Sequence, residues 1–230
     1  MKIFIDIGHP AHVHYFRNFI NMMKNDEHEF LITARDKEVA QSLLNIFDIK
    51  YIDRGRGSNG FFEKLIYMFK ADLLLFKLSL KFKPDIFISF ASPYAAQVSW
   101  LLRKAHISFT DTEHATLGNL AFVPFTQVVC TPSCFNRDFG NKHNRFNGYM
   151  ELCYLHPNYF SPDPNILKLL GIRKNEKYVI LRFVSWNANH DIGHKGLSLE
   201  NKRKAVKEFS KYARVLVSSE SELPNDLQSY

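Results

Sequence analysis

Cysteine is scarce: the chain holds Cys130, Cys134 and Cys153 in 230 residues. An odd count with no framework spacing excludes a disulfide-stapled scaffold. Cys130-x3-Cys134 finds no matching second pair to complete a zinc site. Reduced thiols in a cytosolic protein are the reading that remains. No run approaches the roughly 20 uninterrupted apolar residues that span a bilayer. The opening strand-like run leads into His9 and Pro10 instead of a small-residue cleavage site, so no signal peptide is expected and a cytoplasmic location is. Tandem repeats and low-complexity tracts are absent. There is no G-x-G-x-x-G and no P-loop, which removes support for NAD or P-loop NTPase chemistry. There is no Gly-x-Ser-x-Gly elbow either, so a serine hydrolase is not indicated.

What is present is a large apolar fraction, 46%, with 21 phenylalanines and a formal charge of +7. A sizeable core can therefore form. The positive balance favours anionic partners such as phosphates, nucleotides or acidic lipid surfaces. No nucleic-acid motif accompanies it, and no nucleic-acid partner is expected.

Short apolar runs alternate with longer helical patterns, the signature of βαβ units and a parallel sheet. Strands are predicted at 2–7, 29–34, 49–53, 85–90, 107–111 and 127–131. Helices are predicted after the first strand and at 37–47, 61–83 and 93–103. Six parallel strands make a doubly wound sheet. From 141 to 164 the chain turns polar and aromatic with several prolines, and a second series follows: strand 178–184, a Gly-containing loop, helix 199–212 and strand 214–218. The expected division is a Rossmann-like domain at 1–145, a crossing at 146–165, and the start of a second Rossmann-like domain at 166–230. That second series is shorter than such a domain needs, so the chain is expected to be a piece of a longer protein.

Ligands of open parallel sheets bind beyond the carboxyl ends of the strands. Three polar segments fall there. The first is Gly8-His9-Pro10-Ala11-His12-Val13-His14, where Gly8 permits a tight exit and the imidazoles can contact phosphate or sugar hydroxyls or move protons. His14 is the one expected to turn into helix packing. The second is Thr110-Asp111-Thr112-Glu113-His114, where Glu113 and His114 suggest an acid–base pair; helix capping is the equal alternative. Ser92, before Pro93, shares this rim and reads as an N-cap. The third runs from Arg182 through Asn187, His190, Asp191 and Lys195 to Gly196. Its side chains and glycine-freed amides are what a diphosphate needs. Neither His-rich segment completes a metal ligand set, so no metal and no cofactor is assigned.

The 61–83 helix carries Lys70, Lys77 and Lys81 on one stripe among many apolar residues. A core helix with its lysines in water is the preferred reading. Peripheral contact with an acidic bilayer is the alternative.

The segment Gly8-His9-Pro10-Ala11-His12-Val13-His14 resembles the opening motif of an archaeal and bacterial GT-B-like family. Its relatives are the UDP-N-acetylglucosamine 2-epimerases and glycosyltransferases related to lipid A disaccharide synthase. Asn147-Gly148-Tyr149-Met150-Glu151-Leu152-Cys153-Tyr154-Leu155 resembles that family's domain-junction motif. Arg182-Phe183-Val184-Ser185-Trp186-Asn187-Ala188-Asn189-His190-Asp191 and Ser218-Ser219-Glu220 match as well. The resemblance implies two Rossmann-like domains facing across a cleft, with nucleotide sugar held mainly by the second. Members usually continue past residue 230, into strands expected to hold the nucleotide.

The implied function is a glycosyltransferase-like enzyme using a nucleotide-diphosphate sugar in surface polysaccharide or glycolipid synthesis. A UDP-N-acetylglucosamine 2-epimerase-like activity, or a non-catalytic nucleotide- or carbohydrate-binding piece, is the alternative. The expected partners are the nucleotide-sugar donor and a sugar or lipid-linked acceptor. His9, His12 and Glu113 are expected on the acceptor side, with His12 or Glu113 as base. Gly8, His14, Ser92, His114 and Glu151 are further substrate candidates. Arg182, Asn187, His190, Asp191, Lys195 and Glu220 are expected on the nucleotide side.

Overall fold

The computed structural model describes residues 1–57, 61–184 and 196–230. The chain divides into two compact units, Met1–Phe160 and Ser161–Tyr230.

The first unit is a seven-stranded sheet built from β1 (Lys2–Ile7), β2 (Glu29–Asp36), β3 (Ile52–Arg56), β4 (Ile86–Phe90), β5 (Ala105–Phe109), β6 (Val128–Pro132) and β7 (His143–Phe146). Every pairing is parallel and the order is β3-β2-β1-β4-β5-β6-β7. Six strands overlap the predicted ones, with β3 shifted from 49–53 to Ile52–Arg56 and β5 from 107–111 to Ala105–Phe109. The seventh lies at the end of the domain expected at 1–145, where no strand was predicted. His143-Asn144-Arg145-Phe146 is short and polar because an edge strand needs no apolar face on both sides.

Helices cover both faces, as a parallel sheet requires. They are α1 (Pro10–Asn25), α2 (Ala40–Ile46), α3 (Phe61–Phe82), α4 (Pro93–Leu101), α5 (Thr116–Phe122) and α6 (Leu152–Leu155). The period of two in β1 sorts its residues between the layers. Ile3, Ile5 and Ile7 pack with Val13, Phe16 and Ile20 of α1 and with Leu44 of α2. Phe4 turns the other way, to Leu75 of α3 and Ala95 and Val98 of α4. It stacks on its register partner Phe87, ring centroids 4.9 Å apart. Asp6 shares the parity of Phe4 and so faces the α3/α4 side.

Helix α3 departs from the expected core helix. Ala71, Leu75 and Ser79 are buried, yet Phe62, Leu65, Ile66, Phe69, Leu73 and Leu80 stand exposed. Packing against one neighbouring layer covers only one side of a helix that is apolar nearly all round. Lys83, at φ 57°, turns the chain after α3 ahead of Pro84.

The second unit contains α7 (Asn165–Leu169), β8 (Tyr178–Phe183), α8 (Leu199–Phe209) and β9 (Arg214–Ser219). β8 and β9 pair in parallel, and Phe183, Val206, Val215 and Leu227 form the core. Ser198 caps α8, its hydroxyl accepting from the Asn201 amide.

Candidate functional site

The strand order reverses between β1 and β4, and an open sheet makes its ligand crevice at such a switch point, outside the carboxyl ends. Thr33 of β2, Arg54 of β3 and Ser92, just after β4, meet there around one carboxylate. Asp6, wholly buried, accepts from Thr33 Oγ1 and from Arg54 Nε, each at 2.8 Å on Oδ1. Its Oδ2 accepts from Ser92 Oγ at 2.5 Å. The Arg54 side chain is as deeply buried as its partner. Burial alone would lower its affinity for a proton, but the Asp6 carboxylate holds the guanidinium above its ordinary range. Arg54 also donates Nη1 to the Tyr67 hydroxyl at 2.7 Å and lies 4.6 Å over the ring of Tyr94. A charged pair so far from water persists only when its remaining hydrogen-bonding capacity is met, and here hydroxyls and aromatic faces meet it.

The turn after β4 is strained. Ala91 has φ 48°, a left-handed conformation rare outside glycine. Its amide is held by the Phe109 carbonyl at 2.9 Å and the Ser108 hydroxyl at 3.1 Å. The turn points Ser92 back at Asp6 and starts α4, where Ser92 Oγ also accepts from the Ala95 amide and Pro93 occupies the first turn. Ser92 is thus the expected N-cap, and its second bond, to Asp6, ties α4 to β1.

The histidines of the first turn separate by role. His9 caps α1, its Nδ1 accepting from the Ala11 amide at 3.2 Å. His12 Nδ1 accepts from the Gly8 amide at 3.2 Å, and its ring packs on Phe90 at 4.8 Å. Burial, with smaller contributions from His9, Lys37 and Arg54, pushes its pKa down to about 3. The imidazole is then neutral near pH 7, its lone pair spent on Gly8 and its proton on Nε2. In that tautomer Nε2–H is the donor, while Nδ1 is engaged by the Gly8 amide. A Cβ at Gly8 would stand 3.6 Å from Arg54 Nη2 and 3.7 Å from the His12 ring, in ordinary van der Waals contact with both. His14 turns away, as expected of it, between Phe47 at 5.7 Å and Tyr154 at 5.2 Å.

Beyond β5 and β6, Asp111, Glu113 and Glu151 line a cavity of about 240 Å3 with Cys134, Tyr149 and Met150. Glu113 is held by the Asn136 amide, which donates to its Oε1 at 2.9 Å. Burial pushes the Asp111 carboxyl above its ordinary range; the Thr112 hydroxyl opposes this and Glu151 adds to it. His114 is exposed, with its carbonyl accepting from Thr116.

In the second unit, Arg182 and Glu220 sit at the carboxyl ends of β8 and β9 and form an ion pair at 2.7 Å. Asn187, His190, Asp191 and Lys195 lie outside the described residues. Among the described residues no group of three or more His, Cys, Asp or Glu is arranged to hold a metal ion.

Sequence reasoning passed over Asp6, Arg54, Tyr67 and Tyr94. The available signal was a lone carboxylate inside the apolar run of β1, which needs a buried cation.

A parallel sheet of this order with polar groups gathered at its switch point, followed by a second βα unit, is a GT-B-like α/β protein. The chain belongs to the family described as "Protein of unknown function (DUF354)", whose model matches residues 1–218. It is 26% identical to "Uncharacterized protein MJ0665" of Methanocaldococcus jannaschii over 205 residues, 86% of this chain and 60% of that protein. Among solved structures it resembles UDP-GlcNAc 2-epimerase from Neisseria meningitidis bound to UDP-GlcNAc, with TM-score 0.68 and 14% identity over all of this chain and 68% of that one. MurG of Acinetobacter baumannii gives TM-score 0.57 and 10% identity, covering 99% of this chain and 70% of that one. At such identities the likeness is one of fold. The chain spans about three fifths of the curated relative it matches.

Proposed function

We propose that this chain is part of a glycosyltransferase-like enzyme that uses a nucleotide-diphosphate sugar, acting in the cytoplasm or at the inner membrane face in surface polysaccharide or glycolipid synthesis. The observation that carries the reading is the polar group around the Gly8–His12 turn at the switch point of a GT-B-like sheet. On this reading the first unit takes a sugar or lipid-linked acceptor. His12 donates from Nε2 to an acceptor oxygen, and His9 lines the same turn. Glu113, in the acidic cavity, is the proposed base that removes the acceptor hydroxyl proton. Arg182, with Asn187, His190, Asp191 and Lys195, is assigned to compensating the departing diphosphate, and Glu220 orients Arg182.

Several of the similar structures are UDP-GlcNAc 2-epimerases, which favours a second reading, sugar-nucleotide epimerisation. One experiment separates the two. UDP-N-acetylglucosamine is incubated with this chain and with its longer M. jannaschii relative, with and without a panel of sugar and lipid-linked acceptors. UDP release that requires acceptor, and that falls in the relative's counterpart of His12→Ala, supports transfer. A changed sugar configuration without acceptor replaces that reading with epimerisation. Calorimetric binding with no turnover in either protein leaves a non-catalytic binding role.

A further inference from the structure

We propose that α3 is a docking surface that seats this protein on a bilayer carrying anionic phospholipid. The proposal goes beyond the activity suggested above and does not depend on it. The helix has 22 residues. At about 3.6 residues per turn, Phe62, Leu65, Ile66, Phe69, Leu73 and Leu80 fall on one outward stripe. Each is between 41% and 77% exposed, so this is a continuous apolar ridge and not the scatter of single residues that any surface shows. Beside it, toward α4, Phe69, Leu73 and Phe76 border a largely apolar groove of about 260 Å3, closed by Val98 and Leu101, with Asp72 and Gln97 as its polar residues.

Charge identifies the occupant. Lys70, Lys77 and Lys81 follow one edge of the ridge, all exposed, and none has a hydrogen bond or ion pair with another described residue. Glu63 is the exposed acid of the helix. An apolar ridge edged by unengaged lysines complements an anionic membrane surface. The ridge sinks to the headgroup–acyl boundary while the ammonium groups meet lipid phosphates. A second copy packed through an antiparallel α3 pair would instead set two lysine rows on the same side, a like-charge contact. Among the described residues no helix is long and apolar enough to cross a membrane, so α3 would lie along the surface.

Vesicle flotation of the whole chain, without sugar nucleotide, tests this. Phosphatidylcholine vesicles are compared with vesicles in which phosphatidylglycerol replaces part of the phosphatidylcholine. The chain is expected to float with the anionic vesicles and to remain largely unbound with the neutral ones. K70Q/K77Q/K81Q is expected to lower partitioning to anionic vesicles by about two orders of magnitude. F69S/L73S is expected to lower it at least about tenfold. Both variants change exposed side chains and should keep the wild-type melting curve. The proposal is overturned if the wild-type chain fails to float with anionic vesicles, or if the lysine variant floats as well as wild type. It is also overturned if, without vesicles, the wild-type chain is a dimer that F69S/L73S dissociates, which would assign the face to a second copy.

Discussion

Arg54 and Asp6 face each other across 2.8 Å at the carboxyl end of the sheet, and neither side chain meets solvent. The pair joins β3 to β1, and through Ser92 it reaches α4. Removing one partner leaves the other charged and buried. Arg54→Met is therefore expected to lower the unfolding free energy by about 3–5 kcal/mol. The double variant Asp6→Leu with Arg54→Met should recover much of that loss, because no uncompensated charge remains. Urea titration at neutral pH reads both. A loss below about 1 kcal/mol for the single variant would show that water reaches the pair.

A second buried group gives the stability curve its acid limb. His106 is enclosed between Ser89 Oγ at 3.0 Å and Thr126 Oγ1 at 2.9 Å. Burial drops its pKa from 6.5 to about 3. The unfolded chain takes up that proton below 6.5 and the folded chain does not until about 3. The contribution is thus complete above the upper value and is lost as pH falls toward the lower one. His12, lowered for the same main reason, acts in the same direction. Each histidine can add at most about 1.4 kcal/mol per pH unit to the slope. Urea midpoints taken between about pH 6.5 and pH 5, above most carboxylate titration, should fall steadily. His106→Gln should flatten the fall, and an unchanged slope in that variant would contradict the assignment.

Asp72 works in the opposite sense. Burial first, then the Asp6 carboxylate, raises its pKa to about 7, with Arg54 opposing. Its Oδ1 is buried without a hydrogen-bond partner among the described residues. Because the folded-state value lies above the ordinary 3.8, this group's contribution is most favourable in acid and is lost as pH rises toward 7. Asp72→Asn should raise the melting temperature in mildly alkaline buffer and leave it nearly unchanged near the ordinary carboxylate pKa. Equal shifts at both pH values would mean that the carboxylate charge is not the cause.

These buried groups mark where sequence reading reaches its limit. Strands covered on both faces are continuous apolar runs bounded by turn residues, so β1, β2, β4, β5 and β6 were legible, as was the cap formed by Ser92 before Pro93. β7 was not, because an edge strand of His, Asn, Arg and Phe has no apolar pattern. β3 extends to Arg56, past the predicted end at 53, and that extension turns Arg54 from a loop cation into the partner of Asp6. The two residues are 48 positions apart, and only the sheet order brings them together. For α3 the ambiguity is of another kind: a helix apolar on most sides has no preferred face in its periodicity, and the neighbouring layers decide what is buried. The histidine turn was found from composition at a strand end. Which nitrogen of His12 is occupied depends on the path of the Gly8 backbone, which no spacing encodes.

Arg182 and Glu220 allow a structural role to be separated from a ligand role. Their ion pair is short, 2.7 Å, but the side chains are 67% and 38% exposed, and exposed pairs typically contribute no more than about 1 kcal/mol. Arg182→Ala should thus leave the urea midpoint nearly unchanged. If the guanidinium compensates a diphosphate, losing a charge-assisted hydrogen bond, about 1.5–3 kcal/mol, should weaken calorimetric affinity for UDP-N-acetylglucosamine by roughly 10- to 100-fold. Glu220→Gln keeps the side-chain length and should cost less, since it loosens the orientation of Arg182 without removing the cation. Wild-type affinity in Arg182→Ala, with its fold intact, would reduce the pair to a surface contact and move the diphosphate assignment away from the ends of β8 and β9.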